Sequence, residues 1–280
     1  MQRGAQTVIK KPAEDGHRKN KEAGGNYRTS ANHQLRPTVR TRLLPLASGC
    51  VPAHHTFRAA QVRPLPDKTL RRVLLLASGS GSNAQRLLDH FAHPHPVGRI
   101  VGLLSNKPDA YALTRARAAG VAADSFSRQE WLDGTVLRRI QEEFRPDLIV
   151  LAGFLWLVPP DFVTAYANRI LNIHPSLLPR FGGRGMHGLH VHAAVLAAGE
   201  TETGITIHWV NERYDDGAIL FQARCPVLPH DTPETLAARV LQLEHRYLPL
   251  VVEAVLRGYT PAEFVRQAEA RLPPLPAPAT

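Results

Sequence analysis

The stretch RVLLLASGSGSN, residues 72–83, decides how the fold begins. Its first six residues form a short apolar run that ends at a Gly/Ser cluster, a pattern typical of a buried strand. From Asn83 to His90 the apolar residues recur at helical spacing. The stretch therefore predicts a strand, a tight turn and a helix, which is the usual first unit of a parallel sheet.

Strands and helices continue to alternate beyond this unit. Apolar runs predict further strands, and the segments between them have the length and periodicity of helices. Because helical crossovers join parallel strands, the pattern indicates an α/β fold with a doubly wound, mostly parallel sheet. The predicted strands are 99–104, 121–125 and 147–152, and the predicted helices are 110–119 and 129–144.

The pattern changes after about residue 168. Runs at 170–173 and 204–210 each predict a strand, and 218–227 alternates like an edge or antiparallel strand. A long helix is predicted at 233–256. We therefore expect the C-terminal part of the sheet to be antiparallel. Ligands are expected beyond the carboxyl ends of the parallel strands, where the polar motifs fall.

Positive charge is concentrated near the N-terminus. The 280 residues include 34 Lys or Arg and 24 Asp or Glu, which gives a net charge of +10. Residues 1–70 hold 13 of the basic and 4 of the acidic residues, so the rest of the chain is close to neutral. A nucleic-acid-binding surface is therefore not expected on the body, although a basic targeting or nucleic-acid arm remains an alternative for residues 1–70.

Composition divides the chain into a body and two extensions. Residues 1–70 have few apolar runs and many Gly, Asn, Arg and Pro residues, and we expect a disordered extension there. The expected domain spans 71–262, and 263–280 is a Pro-rich tail. The two cysteines, Cys50 and Cys225, indicate neither a disulfide framework nor a zinc site, and we expect a cytoplasmic protein without a transmembrane span.

Glycines and serines fill the turn between the first strand and the first helix. Glycine lets the backbone approach an anion closely, and the N–H groups at a helix start are donors for phosphate. The glycines also fit a dinucleotide-binding pattern, but SNK at 105–107 lacks the acidic residue that would bind a ribose hydroxyl. We predict a monophosphate site at Gly81, Ser82 and Asn83, with a dinucleotide site or a plain tight turn as the alternatives.

An amide and an imidazole fall on one face of a predicted strand. The sequence LNIHPSLLP spans 171–179, and in an extended chain Asn172 and His174 project to the same side. An amide N–H beside an imidazole can stabilise the oxyanion of an acyl transfer. Taken alone, two satisfied polar groups at a strand end are the simpler interpretation.

Two further segments have residues suited to a site. The loop NERYDDG, 211–217, holds carboxylates that would raise the pKa of an imidazole brought near them. A solvated turn is the alternative for this loop. The segment GFLWLV, 153–158, follows the most apolar strand and would form the wall of a pocket for a flat ring, or else ordinary core packing.

Together and in this order, the motifs resemble the phosphoribosylglycinamide formyltransferase family, which are folate-dependent enzymes of purine biosynthesis. The resemblance implies a Rossmann-like formyltransferase fold. It also implies transfer of a formyl group from 10-formyltetrahydrofolate to the amine of 5-phosphoribosylglycinamide, without a metal. It covers 73–259 and is carried by SGSGSN at 78–83, SNK at 105–107, LAGF at 151–154, NIHPSLLP at 172–179, the loop around Asp215 and EH at 244–245.

The resemblance implies roles for individual residues. His174 would donate a proton, Asn172 would stabilise the oxyanion, and Asp215 would raise the pKa of His174. Glu244 would lie near the ribose hydroxyls of a substrate whose phosphate binds at 81–83. The residues implied for the formyl-folate site are Arg128, Leu155, Trp156, Leu157, Val158 and Asn172.

Two features depart from the family pattern. Trp156 stands where the family often has Arg, and the stretch FGGRGMHG, 181–188, is longer than in the shortest members. We expect this stretch to bend outside the reaction centre and to leave His190 and His192 near the rim of the site. The expected partners are small molecules, with neither nucleic acid nor membrane, and the chain is expected to be a monomer or a homodimer.

Three other functions remain as alternatives. Formyltetrahydrofolate hydrolase resembles this domain, but it carries a folded regulatory domain in front and usually has His at the position of Pro175. Methionyl-tRNA formyltransferase shares the SLLP motif and continues into a basic RNA-binding domain. A non-catalytic Rossmann-like nucleotide-binding module would use the glycine turn without needing His174 or Asp215.

Overall fold

One mixed sheet of eight strands organises the residues that this computed structural model describes, which are 56–57, 70–92, 97–259 and 263–264. The strands are β1 (Thr56–Phe57), β2 (Arg71–Ala77), β3 (Gly98–Ser105), β4 (Ala123–Ser125), β5 (Leu148–Leu151), β6 (Ile170–His174), β7 (Glu202–Trp209) and β8 (Ile219–Pro226). Their order across the sheet is β1-β8-β7-β6-β5-β2-β3-β4. The strands from β6 to β4 are parallel, whereas β7, β8 and β1 pair antiparallel. The predicted fold class is confirmed.

Two hydrophobic cores cover the two faces of the sheet. In β2, successive side chains alternate between the faces, so Val73 and Leu75 pack in one core and Leu74 and Leu76 in the other. The first core includes residues of α1, α2 and α7, and the second includes residues of α3, α4 and α5. The helices are α1 (Ser82–His90), α2 (Tyr111–Ala118), α3 (Arg128–Leu132), α4 (Thr135–Arg139), α5 (Pro160–Ala165), α6 (Leu189–Ala197) and α7 (Pro233–Arg257).

The helices depart from the sequence prediction in two places. A single helix predicted at 129–144 is wrong, because Gly134 adopts φ 79 between α3 and α4. The side chain of Asp133 accepts from the N–H of Thr135 at 2.9 Å, and the segment ends in a π-helical turn at Ile140–Phe144. Helices α5 and α6 were not predicted, since α5 is short and histidines interrupt the apolar pattern of α6.

The expectation of disorder over residues 1–70 stays a prediction, and the structure describes Thr56 and Phe57 of this segment. These residues form β1, which pairs with Gln222 and Phe221 of β8. Pairing covers part of the outer edge of β8, whose backbone groups would otherwise lack protein partners there. Several predicted features lie outside the described residues. They are residues 1–55 with Cys50, residues 58–69, the predicted helix break at 93–96 and the Pro-rich tail beyond 264.

The carboxyl ends of β2, β5 and β6 meet at one edge of the sheet. The turn after β2 is tied to the segment after β5, because the N–H of Ser78 donates to the carbonyl oxygen of Gly153 at 3.0 Å. The Ser78 hydroxyl in turn accepts from the N–H of Leu155 at 3.0 Å. Since β6 ends at His174, the topology brings three predicted motifs to one place. They are the glycine turn, the segment 153–158 and the stretch 171–179.

Candidate active site

A cleft of about 680 Å³ opens where these parallel strands end. The turn after β2, the segment after β5 and the end of β6 line it, together with the β7–β8 loop and one face of α7. The volume is in the range of pockets that hold small ligands. The predicted site residues that line the cleft are Asn83, Leu155, Asn172, His174, Asp215 and Glu244.

Asn172, His174 and Asp215 converge at one end of the cleft. The two residues of β6 project to the same face of the sheet because they are two positions apart in an extended strand. Asp215 has a left-handed backbone with φ 51 in the β7–β8 loop. Its Oδ1 lies 3.3 Å from Nδ2 of Asn172, and its Oδ2 lies 3.4 Å from Nδ1 of His174. Amide, imidazole and carboxylate are therefore neighbours.

The hydrogen bonds of His174 fix which nitrogen carries its proton. Nε2 lies 2.8 Å from the carbonyl oxygen of Phe181, and a carbonyl oxygen only accepts. Nε2–H is therefore the donor, and Nδ1 is left to face Asp215. With 4% of its surface exposed, the imidazole has little water to compete for these contacts.

The net pKa shift of His174 is opposite to the one expected from sequence. Burial lowers its pKa below the ordinary value of 6.5 and outweighs the Asp215 carboxylate and the Phe181 carbonyl, which raise it. His208 lowers it further. Asp215 thus acts in the predicted direction, but the prediction of a raised pKa is wrong because an imidazolium loses much of its hydration in this buried position.

Asp215 is held in its ionised form. Burial raises its pKa, but the neighbouring His208, His174 and Gly183 together hold the pKa below the ordinary value of 3.8. The N–H of Gly183 donates to Oδ2 at 2.9 Å. At neutral pH this carboxylate therefore carries the negative charge that would stabilise a proton arriving on His174.

A second buried histidine, His208, completes this polar cluster and was missed from the sequence. Its Nδ1–H donates to the carbonyl oxygen of Trp209 at 2.9 Å, so Nε2 is an acceptor for Nδ2 of Asn172 at 3.1 Å. Both amide hydrogens of Asn172 are then engaged, one by His208 and one by Asp215. The role of Asn172 as an oxyanion donor stays a prediction. His208 lies directly opposite Asn172 in the β6–β7 pairing, and this register is visible only in the structure.

The stretch 181–188 lies at the reaction centre and does not bend outside it, so that expectation is wrong. Phe181 and Gly183 contact His174 and Asp215 through their backbones, and residues 183–189 line the cleft. Phe181 and three glycines of the stretch have positive φ, which lets the chain fold back over the end of β6.

The two histidines expected at the rim have different surroundings. His190 is exposed, with its ring edge-on to His187 at a centroid distance of 5.9 Å. His192, in α6, is buried and lines the cleft. Burial lowers its pKa to about 4, and the neighbouring His174 adds to this effect. His192 is therefore a neutral imidazole beside His174 and not a rim residue.

The glycine turn borders the other end of the cleft through Ser80 and Asn83, whereas Gly81 and Ser82 are not among the lining residues. Gly81 has φ 70, and a Cβ on it would lie 2.6 Å from the Cβ of Ala112, which excludes a side chain. Ser82 and Asn83 begin α1, where N–H groups have no intrahelical acceptor. Nδ2 of Asn83 donates to Oε2 of Glu244 at 2.6 Å. Burial raises the pKa of Glu244 from 4.5 to about 7, although this hydrogen bond lowers it.

The segment 155–158 divides between cleft and core. Leu155 lines the cleft and Leu157 is 40% exposed, whereas Val158 is buried in the second core. Trp156 is half-buried, and the Arg128 guanidinium lies 5.4 Å from its ring centroid. Val158 thus has the core-packing role that was the alternative for this segment. Arg128 lies against Trp156, the residue at which the family often has Arg.

Neither a metal cluster nor a membrane helix occurs in the described part of the chain. No group of three or more His, Cys, Asp or Glu side chains there is arranged to hold a metal ion. Among the same residues, no helix combines the length and the apolar character needed to cross a membrane. The expectations of metal-free chemistry and of no membrane partner stay predictions.

Known proteins match this chain in sequence and in structure. Phosphoribosylglycinamide formyltransferase of Escherichia coli (strain K12) is 40% identical over 185 residues, which cover 64% of this chain and 84% of that protein. The crystal structure of glycinamide ribonucleotide transformylase 1 from Symbiobacterium toebii matches with a TM-score of 0.63 at 38% identity, covering 71% of this chain and 94% of that one.

A multidomain relative and a family model add to these matches. The trifunctional purine biosynthetic protein adenosine-3 of Gallus gallus is 39% identical over 191 residues, which cover 67% of this chain and 18% of that protein. The formyl transferase family model matches residues 71–252. The chain therefore belongs to the formyl transferase family and, within it, groups with the phosphoribosylglycinamide formyltransferases.

Proposed function

We propose that the chain transfers the formyl group of 10-formyltetrahydrofolate to the amine of 5-phosphoribosylglycinamide in de novo purine biosynthesis, giving the N-formyl product and tetrahydrofolate. The observation that carries this proposal is the single cleft that joins a glycine turn to the cluster of Asn172, His174 and Asp215. The names of the relatives support the same reaction.

The phosphorylated substrate binds at the glycine turn in this proposal. The N–H groups at the start of α1 and the positive end of its dipole suit a phosphate. Nδ2 of Asn83 donates to Oε2 of Glu244 at 2.6 Å, so a carboxyl group of the cleft lining stands beside the turn, and we assign it to the ribose hydroxyls. The residues assigned to this substrate are Gly81, Ser82, Asn83 and Glu244.

Formyl-folate is the co-substrate and occupies the side of the cleft next to the segment after β5. Leu155 lines the cleft and offers an apolar wall for the pterin ring. Arg128, held over Trp156, has the charge needed to bind a carboxylate of the folate tail. The residues assigned to the co-substrate are Arg128, Leu155, Trp156, Leu157, Val158 and Asn172.

His174 moves the proton. The amine nitrogen attacks the formyl carbon, the carbonyl electron pair moves onto oxygen, and the amine proton passes to the unprotonated Nδ1 of His174. The imidazolium is stabilised by Asp215. As the electron pair on oxygen re-forms the carbonyl, the C–N10 bond breaks with its electron pair going to N10 of the folate, and the imidazolium donates this proton to N10. A His174 whose resting pKa lies below 6.5 suits this order, because it must first act as a base.

Asn172 stabilises the oxygen of the tetrahedral intermediate. Its amide donates to Asp215 at 3.3 Å and to His208 at 3.1 Å, so the contact with Asp215 is the longer one. In the proposed step the N–H that faces Asp215 turns to the oxyanion, while His208 keeps the amide oriented. A developing negative charge is a stronger attraction for this N–H in a buried site than it is in water.

The catalytic domain spans 71–262 in this proposal, with 1–70 and 263–280 as extensions of the domain. The chain acts in the cytoplasm as a monomer or a homodimer, on small molecules and without a metal. The residues after 70 hold 21 basic and 20 acidic side chains, since 13 of the 34 basic and 4 of the 24 acidic residues lie before residue 71. This near-neutral body supports the expectation that nucleic acid is not a partner.

A product assay tests the proposal. The purified chain is mixed with 10-formyltetrahydrofolate, and tetrahydrofolate formation is followed by absorbance with and without 5-phosphoribosylglycinamide. We expect product only when the nucleotide is present, and the His174→Asn variant serves as the inactive control. Equal rates with and without the nucleotide would show hydrolysis and overturn the proposal.

A further inference from the structure

Arg115, in α2, holds the glycine turn from outside the cleft. Its Nε donates to the carbonyl oxygen of Ser80 at 2.8 Å, and its Nη1 donates to Oε1 of Gln85 at 3.3 Å. The guanidinium carbon also lies 4.8 Å from the centroid of the Tyr111 ring. A planar guanidinium with contacts on two edges and one face has a single orientation. Arg115 is therefore fixed in place although it is only half-buried.

Three consecutive carbonyl groups of the turn are occupied by neighbouring donors. In a planar trans peptide the C=O of one residue and the N–H of the next point in opposite directions. Each held carbonyl among 79–81 therefore fixes the N–H of the following residue, among 80–82, in the direction opposite to its own donor. The donors are N–H of Ala112 to Gly79 at 3.1 Å, Nε of Arg115 to Ser80 at 2.8 Å and N–H of Gln85 to Gly81 at 2.8 Å.

Among these three donors, Arg115 is the only one that is a side chain and carries charge. The other two are backbone groups of α1 and α2, which any residue at those positions would supply. Ser80, whose carbonyl it holds, lines the cleft. The positive charge also acts on α7, since His245 has a pKa lowered to about 4, first by burial and then by Arg86 and Arg115.

We propose that Arg115 is a positioning residue for the phosphate of the substrate. By holding the Ser80 carbonyl, it fixes the direction of the Gly81 N–H toward the anion, and its charge lowers the energy of a phosphate beside the turn. This inference rests on the proposed function and extends it, because it assigns the discrimination between phosphorylated and unphosphorylated amines to a residue outside the cleft lining.

The test compares two amines on variants of the full chain. KM and kcat are measured for 5-phosphoribosylglycinamide and for its dephosphorylated riboside with Arg115→Ala, Arg115→Lys and Arg117→Ala. Arg117 is the matched control, because it lies in the same helix and its Nη2 donates to the carbonyl oxygen of Ala123 at 3.2 Å. Binding of ribose 5-phosphate is measured by calorimetry as a readout that does not depend on catalysis.

Arg115→Ala should raise KM for the phosphorylated amine about 10- to 100-fold, the range of one hydrogen bond to a charged group. KM for the riboside and both kcat values should stay within about threefold. Arg115→Lys keeps the charge but loses the planar fork, and should give an intermediate KM. The Arg117→Ala control should match the unmodified chain.

Two results would overturn the inference. One is an unchanged KM for the phosphorylated amine. The other is an equal rise in KM for both amines, which would indicate a purely structural role for Arg115. If the unmodified chain transfers no formyl group to either amine, the proposed function fails by itself. The affinity for ribose 5-phosphate then decides the role of Arg115, since a drop of tenfold or more in Arg115→Ala supports it and no drop removes it.

Discussion

The two ends of the cleft are built in different ways. The anion end is a run of consecutive residues, 78–83, whose carbonyl groups are tied to the adjoining helices. The reaction end is assembled from β6, from the stretch 181–188 and from the β7–β8 loop. The first end is thus one local segment that a few long-range contacts hold in place, including the one between Asn83 and Glu244. The second end is assembled from separate segments and depends on the balance between burial and charge. Substitutions at the reaction end should therefore change kcat and its pH dependence, whereas substitutions at the anion end should change stability and anion binding.

The largest effect is expected from His174→Asn at the reaction end. The substitution removes the Nδ1 that receives the proton, so kcat should fall about 10³-fold, within the range known for general acid–base groups. KM for the phosphorylated amine should hardly change, because the glycine turn is untouched. Steady-state kinetics check both values. His190→Asn, at an exposed position, is the control. A kcat within threefold of the unmodified chain would remove His174 from the mechanism.

Asp215→Asn tests the electrostatic balance at the same end. The carboxylate raises the pKa of His174 against the effect of burial, so its removal should lower that pKa further. Since the proposed base is neutral His174, activity is lost as pH falls through this pKa, and the acidic limb of the pH–rate profile should move to lower pH. We also expect kcat to fall about 10²-fold. Asp216→Asn is the neighbouring control, and an unmoved limb would contradict the assignment.

Glu244→Gln tests the anion end through stability. The folded-state pKa of about 7 is higher than the ordinary 4.5, so between these values the folded chain keeps a proton that the unfolded chain releases. The free energy of unfolding should therefore fall as pH rises through this window. The fall is up to about 3–4 kcal/mol, at about 1.4 kcal/mol per pKa unit. Gln cannot titrate, and urea denaturation at several pH values should show this dependence lost in the variant but kept in Glu212→Gln.

Gly81→Ala has the smallest expected effect. It changes the backbone shape of the glycine turn without changing any charge at the anion end. Its φ of 70 is strained for Ala, and the added Cβ would lie 2.6 Å from the Cβ of Ala112. We expect a loss of about 1–3 kcal/mol in the free energy of unfolding and weaker binding of ribose 5-phosphate. Gly79→Ala is the matched control, since a Cβ there meets no atom within 4 Å. Equal stability of the two variants would contradict this reading of the turn.

Sequence periodicity was sufficient for most of the sheet. The strands β2, β3 and β5 are apolar runs, and the long helix α7 has a clear capping box and a C-terminal glycine. The helix predicted over 129–144 failed because one left-handed glycine, Gly134, outweighed the helical pattern around it. Helix α6 was missed because a histidine can be buried beside a cleft, and burial depends on neighbours that the pattern does not contain.

The sequence by itself determined the alternation of elements, the glycine turn and the residue types of the site, because these depend on local periodicity and on motifs within a few residues. The tertiary structure alone decided that His208 orients Asn172, that 181–188 closes on His174, and that burial outweighs Asp215 in the pKa of His174. The physical reason is that desolvation and cross-strand hydrogen bonding depend on how segments far apart in sequence pack together. No single segment contains that information.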